Sequence, residues 1–237
     1  QLDDGSIVAV GESDGKPLMV KIDEHGRSLK ILIPAGVEKG VLKAIAADTK
    51  GQLAATGTQK TDKKDRLLLL TFDSSLTAVA TIPDNAPGEK TGADILYDQE
   101  KKGWWIAVNT PGEAKQSGMA FWNTEKIEYQ WHKRRYENPL YNLVHLPSGK
   151  VVAFGYSSDS PGFPALYYPF RIEWNPNGKS VIEKKYPTAS GIRTWALSAC
   201  VLPDGQIITV GAVGMNENNA GAWLKKEHEE KIKHLPN

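Results

Sequence analysis

The sequence predicts an all-β fold, a β-propeller of about five four-stranded blades, and three observations carry that reading. One seven-residue phrase recurs five times, and its copies start 46 to 56 residues apart, close to the roughly 40–50 residues of a propeller blade. The stretches between copies hold short apolar runs broken by turn residues. Helix-pair solenoids share such a period but need long amphipathic helical patterns, which are absent here.

Aligned without gaps, the phrases are GSIVAVG (5–11), GQLAATG (51–57), GWWIAVN (103–109), GKVVAFG (149–155) and GQIITVG (205–211). The third column is large and apolar (Ile7, Leu53, Trp105, Val151, Ile207), the fifth small (Ala9, Ala55, Ala107, Ala153, Thr209). Such columns read as strand positions packed on a neighbouring sheet. Asn109 replaces the closing glycine of the third copy; asparagine tolerates positive φ, so a turn or bulge is expected there.

Each phrase follows an apolar run ending in a turn, as in LVHLPSG and SACVLPDG, which signals a tight hairpin. A third run comes after a polar loop: PLMVKID (17–23), LLLLTFD (67–73), GMAFWNT (118–124), YYPFRIEW (167–174) and GAWLKK (221–226). Turns such as DEHG and NPNG lead to a fourth run, for example SLKILI (28–33) and SVIEKKY (180–186). The result is one domain over 1–237, with blades near 1–40, 41–91, 92–138, 139–191 and 192–237. A lone small sheet cannot bury both its faces, whereas radial neighbours bury them for one another. The first blade opens at the end of its inner strand, which is expected before Gln1. The tail 231–237 is expected as the outer strand of the last blade, although KHLP in it is similar to VHLP at 144–147 and would serve as that missing strand.

Composition narrows the function classes. Apolar residues make up 40%, enough for a sizeable core, and 29 basic against 28 acidic residues leave a net charge of +1. No global field draws nucleic acid or an acidic membrane. The apolar runs fall far short of the roughly 20 residues of a spanning helix. Cys200, the sole cysteine, excludes an internal disulfide and is expected as a small buried hydrophobe in ALSACVL.

These motifs resemble bacterial exported β-propeller repeat proteins of the DDG-x-I-V-A-x-G type, similar to delta-sixty repeats. LDDGSIVAVGESDGKPLMVKIDEHG at 2–26 is the nearest match and LPDGQIITVGA a good one, while the second and third blades depart from the pattern. The resemblance implies a periplasmic or cell-surface protein and carries little function, because its residues are turn and packing positions.

In a four-stranded meander, the second-to-third loops and the blade-to-blade loops share one rim. Here that rim holds the long, dissimilar loops: TGTQKTDKKDR, NTPGEAKQSG, GYSSDSPGFP and GAVGMNENNAG among them. Loops on a rigid scaffold are the usual carriers of binding. Tyr136, Tyr141, Tyr156, Arg193 and Trp195 are of the types enriched at recognition hot spots, with Asn109, Asp159 and Glu217 as polar partners. Against this, Tyr141 and Trp195 start inner strands, where packing alone explains a ring.

Glycoside hydrolysis needs two carboxyl groups about 5–10 Å apart. Asp94, in GADILYD, stands where a propeller would aim one into the channel mouth, but no second carboxylate occupies the corresponding positions of the later blades. The five histidines lack metal-ligand spacing. WHKRRY at 131–136 reads as a charged outer strand that deters edge pairing. The leading expectation is a non-enzymatic, extracytoplasmic binding propeller that takes a protein or surface glycan on the long-loop rim. No cofactor, metal, nucleic acid or membrane span is expected, and a monomer is favoured. A carbohydrate-active enzyme around Asp94 and a structural domain of a larger envelope protein are the alternatives.

Overall fold

In the computed structural model, the described residues are 1–62, 64–82, 84, 86–111, 116–123, 125–132, 138–158, 167–174, 181–186, 193–214 and 220–228. They contain no helix. Five sheets follow one another as meanders. Sheet 1 is β1 (Ile7–Ser13), β2 (Lys16–Ile22) and β3 (Ser28–Leu32); sheet 2 is β4 (Gly40–Ala47), β5 (Leu53–Lys60), β6 (Asp65–Phe72) and β7 (Ala78–Thr81). Sheet 3 is β8 (Thr91–Asp98), β9 (Gly103–Asn109), β10 (Ser117–Trp122) and β11 (Ile127–His132). Sheet 4 is β12 (Leu140–His145), β13 (Val151–Ser158), β14 (Tyr167–Trp174) and β15 (Val181–Lys185). Sheet 5 is β16 (Arg193–Val201), β17 (Gln206–Gly214) and β18 (Ala220–His228). The tail 231–237, expected as a strand, lies outside the described residues.

The chain divides into two compact units, Gln1–Leu143 and Val144–Asn237. In the first, period-two alternation puts successive residues of sheet 2 into two different cores. Leu53, Ala55, Leu68, Leu70 and Phe72 meet Met19, Val8, Val10 and Leu32 of sheet 1. Ala54, Leu67 and Leu69 meet Ile95, Trp104, Ile106, Val108, Ala120 and Trp122 of sheet 3. Each large side chain so buried contributes about 1.5–3 kcal/mol. The second unit repeats the arrangement, with Val152 and Phe154 of sheet 4 against Ile207, Ala199 and Val201 of sheet 5.

The repeated hairpins explain the leading glycines. Gly5, Gly51, Gly149 and Gly205 all sit near φ +80°, each donating its N–H to the carbonyl three residues back: Leu2, Asp48, Leu146 and Leu202. A left-handed residue closing a turn between two strands is the position where glycine costs nothing. In sheet 3 that conformation belongs to Lys102 (φ 51°), and neither Gly103 nor Asn109 has positive φ. The ungapped alignment of the third copy is therefore one residue out of step, which inverts its faces: Trp104 and Ile106, not Trp105 and Ala107, hold the third and fifth columns and point at sheet 2.

Correctly phased, two of the closing glycines, Gly57 and Gly211, share one cause. In sheets 2, 3 and 5 the inner strand bulges opposite the closing residue: between Leu42 and Ala44 against Gly57, between Gly92 and Asp94 against Val108, and between Ala196 and Ser198 against Gly211. A Cβ on Gly57 would collide with the Val41 carbonyl oxygen, and one on Gly211 with that of Trp195. Close approach of the bulged backbone, rather than positive φ, demands glycine there. In sheet 3 a valine closes the phrase, and Gly92 opposite it is small for a different reason: a Cβ there would strike the Thr56 side chain of sheet 2. The bulge in β16 also corrects the reading of Cys200. It resets the alternation after Ala196, and Cys200 lies exposed rather than buried.

Candidate functional site

Four side chains of the second unit form the candidate site. Tyr156 lies near the end of β13, Tyr167 opens β14, and Arg193 and Trp195 open β16. In the sequence these strand ends adjoin 159–166 and 187–192, which the sequence reading expects on the long-loop rim. Strand periodicity puts Arg193 and Trp195 on one face of β16. Tyr167 stacks on Trp195 with ring centroids 5.8 Å apart and planes 28° from parallel. Tyr156 stands edge-on to both, 5.2 Å from Tyr167 and 6.3 Å from Trp195. The Arg193 guanidinium carbon lies 5.3 Å from the Tyr167 ring centre, a cation–π contact of about 0.5–2 kcal/mol. All four are half-buried, so three rings and a fixed positive group present a stiff, amphipathic surface that needs little ordering to bind.

Three residues singled out in the sequence thus meet, and Tyr167 is the member that sequence reasoning missed. The signal available for it was its register: in the hairpin Tyr167 is the residue opposite Ser158, at the loop end of the pair. Tyr136, Asp159 and Glu217 lie outside the described residues. Tyr141, in the first unit, is exposed at the start of β12.

Asn109 does a different job from the one expected. Its side chain donates from Nδ2 to the Leu140 carbonyl and accepts the Leu140 N–H at Oδ1, both at 2.8 Å. It copies a backbone pairing and ties the end of β9 to the start of β12. Asp94 is a second tie between the same regions. Its Oδ2 accepts the Leu143 N–H at 2.6 Å and the Asn142 amide at 2.9 Å, and its Oδ1 accepts the Ile95 N–H at 2.9 Å.

Burial nevertheless outweighs those three hydrogen bonds and pushes the Asp94 carboxyl up from 3.8 to about 6. An unfolded Asp94 holds its proton more weakly than the folded one, so protonation favours the fold. The advantage is full below about pH 4 and is lost as pH rises to about 6, a swing approaching 3 kcal/mol by linkage. Urea denaturation of the natural chain and of Asp94→Asn from pH 4 to 7 should show the natural chain losing roughly that amount relative to the variant. A pH-independent difference would contradict it. The variant's lost hydrogen bonds add only a constant offset.

A buried ionic network in the second unit escaped the sequence reading. Arg171, on β14, donates to Glu227 at 2.6 Å and to Glu173 at 2.9 Å; Lys184 reaches Glu227 at 3.1 Å, and Lys150 reaches Glu173 at 3.5 Å. Tyr186 donates its O–H to Glu227, and burial together with that carboxylate pushes its phenol well above the ordinary range. The arrangement links β14 and β15 to β18, and every carboxylate faces a cation, so it reads as a clamp rather than as free acid–base groups. Among the described residues, no group of three or more His, Cys, Asp and Glu could hold a metal ion, and no helix is long and apolar enough to cross a membrane.

No protein-family model and no curated protein matches the chain. Solved structures do. A protein of unknown function from Dyadobacter fermentans is similar over 96% of this chain and 75% of its own, with a TM-score of 0.65 and 14% identity. The WD40 domain of Neurospora crassa Pan2 is similar over 90% of this chain and 63% of its own, with a TM-score of 0.50 and 12% identity. An endo-arabinase from Bacteroides thetaiotaomicron is similar over 96% of this chain and 94% of its own, with a TM-score of 0.54 and 9% identity. WD40 repeats are propeller blades, and at these identities the likeness concerns fold alone. Together with the five meander sheets, it establishes an all-β protein of β-propeller fold with about five blades.

Proposed function

We propose that the chain is a non-enzymatic binding propeller of an extracytoplasmic compartment, taking a protein or surface glycan on the Tyr156–Tyr167–Trp195–Arg193 cluster. The observation that carries this is the convergence of three half-buried rings and a guanidinium at the loop ends of three strands. Aromatic and arginine groups of this kind dominate binding energy wherever a rim excludes water around them. The test is a glycan array and a pull-down from bacterial envelope extract, each run with the natural chain and with the Arg193→Ala, Trp195→Ala double variant. Loss of two hot-spot side chains should weaken any captured ligand by about 30-fold or more, with the thermal transition retained. Equal binding by both proteins would refute the assignment.

One observation favours an enzyme: Asp94, raised to about 6, has the proton affinity of a general acid, and a similar fold belongs to an endo-arabinase. Three N–H donors already occupy its oxygens, and β4, β12 and β16 contain no second carboxylate. Hydrolysis of a glycan panel that disappears in Asp94→Asn would displace the binding reading.

A further inference from the structure

The register of sheet 2 brings two like charges together. Gly40 pairs with Gln59 and Val41 with Thr58, and one step beyond them the Lys60 N–H donates to the Lys39 carbonyl at 3.0 Å. Lys39, just before β4, and Lys60, at the end of β5, therefore stand directly opposite each other. Opposed residues share a face and hold their Cβ atoms roughly 5 Å apart. Strand alternation puts Lys60 with Ala54 on the face of β5 that packs on sheet 3, and Lys39 lies on that face too. Both lysines are exposed. Among the described residues, neither side chain forms an ion pair or a hydrogen bond.

Close approach of the strands fixes this arrangement. A Cβ on Gly40 would lie 2.4 Å from the Thr58 carbonyl oxygen, so glycine lets β4 begin pressed against β5. Like charges held directly opposite each other repel. The row continues to Asp65, which faces Lys60 from β6, yet no ion pair joins the two. Lys43, at the bulge of β4, feels the same charges: burial pulls its ammonium below the usual range, Asp65 opposes that and Lys60 adds to it.

Beside the lysines lies a donor without an acceptor. Thr58, two residues before Lys60 on the same face, is 3% exposed, and its hydroxyl has no hydrogen-bond partner. Thr56, the next residue along that face, gives its hydroxyl to the Leu68 carbonyl; Thr58 makes no such bond. A buried hydroxyl left unpaired costs stability. Two cations without an anion and a hydroxyl without an acceptor thus meet at one strand end, and a single bound oxyanion satisfies all three.

We infer that Lys39, Lys60 and Thr58 bind the phosphate group of a phosphate monoester. Such a group carries close to two negative charges at neutral pH and presents three acceptor oxygens, which matches two ammonium groups and one hydroxyl. A carboxylate brings one charge and two oxygens and leaves one lysine uncompensated. Asp65 repels the same ligand from beside Lys60 and keeps the affinity modest. All three binding residues belong to the first compact unit, and the aromatic cluster of the second plays no part.

Inorganic phosphate is the first probe, titrated to about 50 mM into isotope-labelled protein near neutral pH, with chloride holding the ionic strength constant. The Thr58 and Lys60 amide resonances should shift and saturate, and acetate should bind about tenfold more weakly. Lys39→Gln combined with Lys60→Gln should weaken phosphate about tenfold or more, and Asp65→Asn should strengthen it about threefold. Thr58→Val should weaken phosphate about fivefold, with the thermal transition in phosphate-free buffer unchanged or raised, because no hydrogen bond is lost. Glucose 1-phosphate and vesicles of phosphatidate in phosphatidylcholine then separate the two sources of the group. Competition by the sugar phosphate identifies a soluble ester and stronger capture on the vesicles a lipid headgroup, and either result upholds the site. Absence of a saturable shift, acetate binding as tight as phosphate, or phosphate binding that survives the double lysine variant overturns the proposal. A lowered transition in Thr58→Val overturns the part given to its hydroxyl, which would then have a partner already.

Discussion

Replacing Arg171 by methionine is expected to cost the second unit about 3–5 kcal/mol, because removing one member of a buried ionic group leaves its partners charged and dry. Arg171 is 2% exposed and holds Glu173 at 2.9 Å and Glu227 at 2.6 Å. Methionine fills similar volume without donors, so the loss is electrostatic and not a cavity. Lys184, whose side chain is about one-third exposed, donates to the same Glu227; solvent screens it, and Lys184→Met should cost under about 1 kcal/mol. Urea denaturation of both variants measures the contrast. Similar losses for Arg171→Met and Lys184→Met would mean that the network is wetter than its geometry indicates.

Lys90→Met should cost the first unit a comparable amount, about 3–5 kcal/mol. The Lys90 ammonium is 2% exposed and spends its donors on Asp84 at 3.0 Å and on the carbonyls of Ala86 and Gly88 at 2.6 and 3.3 Å. Tyr129 supplies a second hydrogen bond to Asp84 at 2.8 Å, and burial with the Asp84 carboxylate beside it pushes the phenol well above its usual range. With methionine at 90, the Asp84 carboxylate keeps the Tyr129 O–H and the Ala86 N–H but loses its counter-charge. Adding Asp84→Leu to Lys90→Met should recover part of the loss, because two apolar residues leave no buried charge behind. A double variant as unstable as the sum of the singles would show that the two residues act independently, against the coupling expected here.

Period-two alternation and turn chemistry made most of the strands legible: YYPFRIEW is β14 residue for residue, and LLLLTFD falls on β6 within two positions. The third repeat was misphased because a lysine does there what glycine does in the other four hairpins, and residue identity alone does not reveal a tolerated left-handed backbone. The exposure of Cys200 was hidden for a similar reason, since a bulge changes parity without leaving a compositional mark. Of the candidate site, Tyr156, Arg193 and Trp195 were accessible through loop position and residue type. Tyr167 needed the register of its hairpin. Arg171 and Glu227 lie 56 residues apart, and nothing in the sequence marks them as partners. Asn109 was singled out as a polar binding partner and Asp94 as a carboxyl for the glycoside-hydrolase alternative, but their hydrogen-bond partners on β12 were invisible in the sequence.

The run of leucines at 67–70 sends alternate side chains into two separate cores. Sheet 2 is therefore a shared wall: neither of its neighbours can peel away without wetting half of it. Melting in the first unit cannot proceed one blade at a time at modest cost, and Gln1–Leu143 behaves as a single cooperative folding body held together from its middle.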